Sequence, residues 1–295
     1  MTVRRRLVQV PASSANLGPG YDVLAAALSL HLELEVSEEG EFSVLADDDA
    51  VRSDRSNLCV RAFETLHPAD RLRFEIRSEI PLTRGLGSSA AAIVAGLMAA
   101  DHLFELALDR DEIYARAVEL EGHPDNVGAA LYGGFVVCPH PVDRHERPAP
   151  VRLDPPQGVE GVLVVPGEEM ATDRARAAIP EIVPIGDAVA NVAAASELVL
   201  GIERSDLTLI SRGLADRLHQ PHRAHLYPRS MELLAEARDL GAIGATISGA
   251  GPALLVWCFW QDTGKVTDSL RERVGDWARI VRAPFSPLGA DVPGL

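Results

Sequence analysis

The chain has 295 residues, of which 47% are hydrophobic and 24% are charged, and its formal net charge is −15. This length and apolar content allow one large domain or two ordinary domains with a sizeable core. The acidic balance argues against a general nucleic-acid binder, because such proteins need a basic face to displace counterions. A locally basic site for an anionic small molecule is still compatible with this charge.

The cysteines and the N-terminus bear on the cellular compartment. Cys59, Cys138 and Cys258 stand far apart and form no CxxC pair, so neither a zinc site nor a disulfide framework is predicted. The opening MTVRRRLVQVPASS has arginines but no adequate apolar segment after them, which argues against a signal peptide. The longest apolar run, residues 90–100, is too short to span a bilayer. We therefore predict a cytoplasmic protein with no membrane and no nucleic-acid partner.

The first elements in chain order are predicted strands. Residues 3–10 alternate loosely between apolar and polar side chains and precede a proline, which indicates an opening strand. The next segment, PASSANLGPGYD, has the glycines and prolines of a loop. Residues 28–36 and 72–80 alternate with period 2, the pattern of half-buried strands.

Helices follow a glycine-rich segment. Residues 90–106 are rich in alanine and leucine and predict a helix, with Ser88 or Ser89 at its N-terminus. A second helix is predicted over 110–121, because acidic residues lie in its first turn. The apolar residues 133–137 then predict a strand.

The second half mixes helices and strands. Residues 139–156 are dense in proline and charge and predict a long exposed loop near a domain border. A short buried strand is predicted over 161–166, and helices are predicted around 187–202, 206–217 and 228–240. The glycine-rich turn of ISGAGPALLVWCF leads into a closing strand. Because the alternation lacks the rhythm of a doubly wound sheet, we predict an α+β protein with domains at 1–165 and 166–295.

The segment PLTRGLGSSAA, residues 81–91, is a candidate phosphate cradle. Free N–H groups and the dipole at a helix N-terminus attract anions, and glycine lets the backbone approach them closely. The chain contains no GxxxxGK[ST] motif, so this is not a Walker A loop. It also matches the dinucleotide fingerprint GxGxxG/A, but residues 81–84 separate the strand from the glycines. A capped helix without a ligand is the third alternative.

Three motifs in register carry a family resemblance. PASSANLGPGYD, PLTRGLGSSAA and ISGAGPALL occur in this order and resemble the signature motifs of the GHMP small-molecule kinases. Within that superfamily LEGHPDNVGAALYGG, TDRAR and HQPHRAHLYP resemble the homoserine kinase family, whose first motif carries phenylalanine where this chain has Tyr21. The resemblance covers roughly residues 8 to 256.

The resemblance implies a fold, an activity and a cofactor. The fold would combine an N-terminal domain like ribosomal protein S5 domain 2 with a ferredoxin-like C-terminal domain, with ATP between them. The activity would be ATP-dependent phosphorylation of the side-chain hydroxyl of L-homoserine to O-phospho-L-homoserine, in threonine biosynthesis. Mg²⁺ would be held by Ser89 and Glu121, although Glu119 lies two residues from the second of these.

The resemblance also assigns the ligand contacts. The triphosphate would lie on Pro81, Leu82, Thr83, Arg84, Gly85, Leu86, Gly87, Ser88, Ser89, Ala90 and Ala91. The amino acid would be bound by Asn16, Asp22, His123, Asp125, Asn126, Thr172, Arg176, Arg223 and Gly249. Asp22 and Asn16 are the candidate catalytic residues, and the proton acceptor is either Asp22 or the γ-phosphate itself. The plainer alternatives are an Asx turn at Asn16 and Asp22, a helix cap at Ser89 or Asp125, and surface ion pairs for the arginines.

Other activities stay open at this point. A GHMP kinase acting on L-threonine or pantoate would use the same carboxylate-binding arginines. A non-catalytic sensor on the same fold would usually have lost a phosphate-loop serine or the metal-binding acid, whereas this chain has both Ser89 and Glu121. The family resemblance and the expected sheet edges favour a homodimer.

Overall fold

A computed structural model of the chain describes residues 4–140 and 148–293. Its first sheet has the order β3-β4-β2-β5-β6, with β1 paired to β2, and only β3 and β4 run parallel. The strands predicted over 28–36, 72–80 and 133–137 are confirmed. The strands are β1 Arg5–Ala15, β2 Leu24–Glu38, β3 Ser43–Ala46, β4 Leu72–Ser78, β5 Phe135–Val137 and β6 Val151–Leu153.

The end of β1 corrects one prediction. The loop was expected to begin at Pro11, but β1 continues to Ala15. Its pairing with β2 shifts register between Pro11 and Ala12, and a bulge of this kind is one of the few places where a strand tolerates proline. The strand therefore extends up to Asn16, the first residue of the glycine-rich loop.

Helices pack on the first sheet and around one another. The long helix α2 is buried along most of its length and contacts β1, β2 and α1. The helices predicted over 90–106 and 110–121 are confirmed. The helices of this half are α1 Leu58–Glu64, α2 Ser88–Phe104, α3 Arg110–Glu121 and α4 Asp125–Tyr132.

The crossing of α1 and α2 depends on Gly96. A Cβ atom at this position would overlap the carbonyl oxygen of Cys59 and would touch the side chain of Ala62. We expect Gly96→Ala to lower the free energy of unfolding by about 2 kcal/mol, because overpacking outweighs the gain in helix propensity. Urea denaturation would measure the change.

A matched control lies at an exposed position of the helix formed by residues 263–274. No atom lies within 4 Å of the position that a Cβ atom on Gly264 would occupy. Gly264→Ala is therefore expected to raise the free energy of unfolding by up to about 1 kcal/mol. Equal effects of the two alanines would show that the helix crossing does not limit residue size at Gly96.

The second sheet is antiparallel, with the order β10-β7-β9-β8. Five helices separate β7 from β8 and one separates β9 from β10, which is the β-α-β-β-α-β pattern of a ferredoxin-like domain. The helices predicted around 187–202, 206–217 and 228–240 are confirmed, the last two with shorter ends. The elements are β7 Val159–Pro166, α5 Thr172–Ala177, α6 Ile185–Arg204, α7 Leu207–Gly213, α8 Gln220–Arg223, α9 Pro228–Glu236, β8 Gly244–Ile247, β9 Leu254–Phe259, α10 Thr263–Val274 and β10 Ala278–Arg282.

The two sheets share one hydrophobic core. This core includes Leu34 and Phe74 of the first sheet and Leu255 and Trp257 of the second. The C-terminal segment returns to the first sheet, where the backbone N–H of Ser286 donates to the carbonyl of Ala27 in β2 and its carbonyl accepts from the N–H of Gly134, just before β5. The fold is the predicted two-domain α+β arrangement. The chain passes from the first sheet to the second between β6 and β7, so β7 belongs to the second sheet. The predicted domain division after residue 165 stays a prediction.

The proline-rich segment differs in part from its prediction. The prediction of a continuous loop over 139–156 is wrong at 151–153, where β6 pairs with β5, and residues 141–147 of that prediction lie outside the described chain.

Among the described residues, α6 alone is long and apolar enough to cross a membrane by length and composition, with a mean hydropathy of 1.5.

Candidate active site

A cavity of about 210 Å³ lies where the three glycine-containing motifs meet. Its lining includes most of the residues singled out from the sequence. They are Asn16, Asp22, Thr83, Gly85, Leu86, Gly87, Ser88, Ser89, Glu121, His123, Asp125, Asn126, Thr172, Arg176, Arg223 and Gly249, joined by Met170, Ala171 and Ala250.

The loop before α2 is held by contacts to the other two motifs. Gly85 and Gly87 have φ values of 76° and 69°, a region that favours glycine. A Cβ on Gly85 would overlap the carbonyl oxygen of Ser248, and one on Gly87 would overlap Oγ of Ser13. The side chain of Ser248 also donates to the carbonyl of Gly85 at 2.7 Å. Both glycines are therefore required by close packing as well as by backbone conformation.

The start of α2 is open toward the cavity. Its N-cap residue is Gly87, and within the described chain no side chain caps the helix, so neither Ser88 nor Ser89 acts as a cap. The first-turn N–H groups of such a helix lack intrahelical partners and favour an anion. The capped-helix alternative is therefore not what the structure has at this end.

Ser89 and Glu121 meet at the edge of the cavity. The Ser89 hydroxyl donates to Oε1 of Glu121 at 2.5 Å, and burial raises the pKa of this carboxyl. Glu119 is exposed, so of the two candidate acids the structure brings only Glu121 to the cavity. One hydroxyl and one carboxylate fit Mg²⁺, which keeps several water or phosphate ligands. No group of three or more His, Cys, Asp or Glu that could hold a metal occurs among the described residues.

Asp125 is a buried carboxylate with a free oxygen. Its side chain is 1% exposed, Oδ1 accepts from the backbone N–H of Asn126 at 2.8 Å, and Oδ2 has no hydrogen-bond partner among the described atoms. His123 lies beside it, with 3.2 Å between Nδ1 and Oδ1. Burial lowers the pKa of His123, but pairing with Asp125 and the charge of Glu121 outweigh burial, so the pKa is raised.

Asp125 does not cap α4 in the expected way. The N-cap residue is Pro124, and Asp125 is the first helical residue. Asn126 donates from Nδ2 to Oγ of Ser13 at 2.9 Å, which ties the start of α4 to the first motif.

Asn16 fixes the loop that carries Asp22. Its Oδ1 accepts from the backbone N–H of Asp22 at 2.8 Å, and its Nδ2 donates to the carbonyl of Gly249 at 3.0 Å. Both Asn16 and Asp22 have positive φ, at 56° and 55°. An Asx-type shaping role is thus present, and Asn16 also lines the cavity.

Two predicted substrate contacts bind each other. Arg176 donates to both oxygens of Asp22, at 2.7 and 2.9 Å, and its Nη1 also donates to the Tyr21 hydroxyl at 2.9 Å. The pairing joins the first motif to α5. Arg223 is different, since it is 1% exposed and forms no ion pair within the described residues.

Five predicted phosphate-loop residues lie away from this cavity, and one of them, Leu82, lines two other cavities instead. Ala90 and Ala91 are buried in the first turn of α2, and Pro81 and Arg84 line a separate cleft. Arg84 donates from Nε to the carbonyl of Pro166 at 2.9 Å and from Nη2 to that of Gly167 at 2.6 Å. Their contact with ATP stays a prediction.

A second, larger cavity was not predicted from the sequence. It measures about 510 Å³, is mostly apolar, and shares Thr83, Ser88 and Ser89 with the first cavity. Asn57 caps α1 by accepting from the backbone N–H of Cys59 at 2.9 Å. That capping pattern could have predicted α1, but not the cavity, which also needs residues from β2 and β4. Further lining residues are Leu32, Val51, Arg52, Leu58, Arg61, Ile76 and Leu82.

Comparison with known proteins agrees with the fold. Residues 57–134 match the family described as GHMP kinases N terminal domain, and residues 198–275 match GHMP kinases C terminal. Together with the glycine loop between the two sheets, these matches define the class as GHMP kinases.

The relatives narrow the class. The chain is 40% identical to homoserine kinase of Thermus thermophilus over 83% of this chain and 84% of that protein, and 38% identical to homoserine kinase of Synechococcus sp. over 96% and 92%. The crystal structure of homoserine kinase from Cytophaga hutchinsonii covers 98% of both chains with a TM-score of 0.86 at 28% identity. The chain belongs to the homoserine kinase family of the GHMP kinases. L. major mevalonate kinase, at 16% identity and a TM-score of 0.69, shares the fold.

Proposed function

We propose that this protein is a homoserine kinase, which transfers the γ-phosphoryl group of ATP to the side-chain hydroxyl of L-homoserine in threonine biosynthesis. One observation carries the proposal: a single cavity holds a buried carboxylate with a free oxygen, Asp125, and a buried arginine, Arg223, that has no acid partner among the described residues. These are complementary to the ammonium and the carboxylate of an amino acid. The open N-terminus of α2 lies in the same cavity and suits the phosphates of the second substrate.

The two cavities suggest how ATP would lie. The larger, mostly apolar cavity would take the adenine base, with Asn57 and Ser56 as polar partners, and the phosphates would follow Ser88 and Ser89 into the smaller one. Mg²⁺ would be held by Ser89 and Glu121 and would neutralise charge on the phosphates. ATP use follows from membership of the family, whereas the metal is part of this proposal.

The protein's own residues would act mainly by positioning. Phosphoryl transfer passes through a loose transition state, so alignment and charge stabilisation matter more than early deprotonation of the hydroxyl. Asn16 shapes the loop that presents Asp22, and Arg176 holds that carboxylate from the other side. In this arrangement Asp22 orients the acceptor hydroxyl or takes its proton late.

We expect Asp22→Asn to lower kcat about tenfold, less than the loss for a full general base. The fold should survive, because the ion pair with Arg176 is partly exposed and contributes little to stability. Steady-state kinetics and a thermal melt would test both statements, with the exposed Asp173→Asn on α5 as control. Unchanged turnover would remove Asp22 from the mechanism.

The direct experiment is coupled ADP release with Mg·ATP and a panel of L-homoserine, L-threonine, L-serine, mevalonate and pantoate. We expect L-homoserine to have the highest kcat/KM. Pantoate has no ammonium to match Asp125, which is why this alternative ranks lower. Preference for another acceptor would overturn the substrate assignment, and no turnover at all would favour the non-catalytic sensor.

The exposed face of α6 supports the predicted homodimer. Ile185, Val189, Val192 and Leu200 are 81%, 62%, 68% and 44% exposed and follow one another at helical spacing. A second copy packed antiparallel on this stripe would bury it in both chains through one isologous contact. The homodimer and a cytoplasmic location stay proposals.

We expect Val192→Asp to convert a dimer to monomers in sedimentation velocity, because it places a charge in the centre of the stripe. Leu288, 72% exposed and outside α6, gives the control Leu288→Asp, which should leave the dimer intact. If the Val192→Asp variant is still a dimer, this face of α6 is not the dimer contact.

A further inference from the structure

Arg223 is buried among neutral groups. Its Nε donates to the carbonyl of Ala175 at 3.0 Å, and Nη1 donates to the carbonyl of Gly249 at 3.1 Å. Nη1 also lies 3.2 Å from Nδ1 of His219, and the guanidinium carbon lies 5.4 Å from the ring centre of Tyr21. A buried charge is costly unless its donors are satisfied. Here neutral acceptors bind Nε and Nη1 and an aromatic ring lies nearby, while the positive charge stays available.

The protonation of His219 follows from its two partners. A guanidinium can only donate, so Nδ1 of His219 must accept from Arg223. Nε2 then carries the hydrogen and donates to the carbonyl of Gly18 at 2.7 Å. This side chain is fully buried, and its pKa is lowered, chiefly by burial, although Asp216 opposes the shift. His219 is therefore a neutral link between the first motif and Arg223.

Asp216 does not neutralise Arg223. Its carboxylate accepts from the backbone N–H groups of Leu218, His219 and Gln220, at 2.8, 3.0 and 2.7 Å, and from Nδ2 of Asn191 at 2.9 Å. These bonds hold it at the start of α8, with Oδ2 3.6 Å from Nε2 of His219. Its charge is thus taken up by backbone donors, and the imidazole ring stands between it and the arginine.

Tyr21 completes the arrangement. Its ring lies near two guanidinium groups, with the Arg176 carbon at 5.6 Å and the Arg223 carbon at 5.4 Å from the ring centre. It also packs against the His219 ring, with 5.6 Å between the centroids. An aromatic face attracts a cation without cancelling its charge for a third group. Of the two arginines, only Arg176 is paired with a carboxylate, that of Asp22.

We propose that His219 and Tyr21 are positioning residues that hold Arg223 in place without neutralising it, so that the carboxylate of the acceptor substrate meets a pre-oriented, unpaired cation. The proposal rests on the proposed function, in which Arg223 binds that carboxylate. It adds two side chains that act through Arg223 and do not need to touch the substrate.

The test compares His219→Leu with His219→Gln. Leucine removes the acceptor for Arg223, whereas a glutamine side chain can accept from Arg223 and donate to Gly18. We expect His219→Leu to raise KM for L-homoserine about 10- to 100-fold, with kcat and KM for ATP changed less than about threefold, because a buried donor loses its partner. His219→Gln should regain most of the affinity. His222→Leu, exposed on the same short helix, is the control.

A substrate analogue separates a specific role from a general one. Homoserinol carries the ammonium and the acceptor hydroxyl but no carboxylate. The wild-type protein should prefer L-homoserine strongly in kcat/KM, and His219→Leu and Tyr21→Leu should reduce that preference about tenfold or more, whereas Tyr21→Phe, which keeps the ring, should not. If His219→Leu does not fold, His219→Gln and the two Tyr21 variants still decide the outcome.

An unchanged preference for L-homoserine in His219→Leu and Tyr21→Leu, or a fall in kcat alone, would overturn the proposal. Failure of the proposed function gives a different result, because the wild-type protein itself would then not phosphorylate L-homoserine. Turnover of another carboxylic acid would allow the same comparison on that acid. Wild-type turnover only of acceptors without a carboxylate would overturn both proposals.

Discussion

Replacing Glu121 by glutamine is expected to lower kcat/KM by about 10²- to 10³-fold. Glutamine keeps the shape and can still accept from the Ser89 hydroxyl, but it removes the negative charge next to the phosphate loop. Losses of this size are typical when an enzyme loses one preorganised group that stabilises the charge of the transition state. Folding should be unaffected or improved, because a buried carboxylate whose pKa is raised by desolvation disappears.

The measurement is kcat/KM as a function of Mg²⁺ concentration for the wild-type protein, Glu121→Gln and Glu119→Gln. We expect the first variant to need more Mg²⁺ and to recover only partly, while Glu119→Gln behaves as the wild type because its side chain is exposed. A large loss in Glu119→Gln with none in Glu121→Gln would reverse the assignment of the metal ligand.

Asp125→Asn is expected to lower kcat/KM for L-homoserine about 10²-fold, mostly through KM. Asparagine can still accept from the backbone N–H of Asn126 through Oδ1, so the start of α4 should keep its shape. What is lost is the negative charge at the unpartnered Oδ2, which we expect to face the substrate ammonium. Interactions between a buried charge and its partner are worth about 2–4 kcal/mol in such substitutions.

The specific readout is the comparison of L-homoserine with 4-hydroxybutyrate, which lacks the ammonium. The wild-type protein should favour L-homoserine strongly, and Asp125→Asn should lose most of that preference while KM for ATP is unchanged. A parallel loss with both acceptors would mean that Asp125 only shapes the helix start, in which case the ammonium has another partner.

The sequence predicted the elements whose pattern is local. The alternation over 28–36 and 72–80 and the apolar run after Ser89 give strands and a helix, because their periods match the structure that they form. Pro11 misled the prediction of β1, since a bulge lets the strand pass a residue that usually ends one. The strand β6 follows a segment dense in proline and charge, and its pairing with β5 is a long-range contact that local composition does not encode.

The candidate site was also predicted only in part. The family resemblance, carried by the three motifs together with LEGHPDNVGAALYGG and HQPHRAHLYP, singled out side chains that line one cavity, including Ser89, Asp125 and Arg223. It did not predict that Arg176 binds Asp22, because that contact joins residues far apart in the chain and depends on where α5 lies. His219 and Tyr21 lie within the motifs HQPHRAHLYP and PASSANLGPGYD, but no pattern assigned them a role, because their arrangement with Arg223 exists only once α8 packs beside the first motif.

The interlocked glycines limit how this enzyme can be recombined with its relatives. Gly85 lies against the carbonyl of Ser248, Gly87 lies against the side chain of Ser13, and the carbonyl of Gly249 accepts from Asn16. A chimaera that exchanges only one of the three motifs with a distant homologue would therefore inherit a mismatched surface, even if the new motif is functional in its own protein. Exchange of all three together should preserve a working enzyme. For protein engineering, the three motifs therefore have to be treated as one unit, although they lie far apart in the chain.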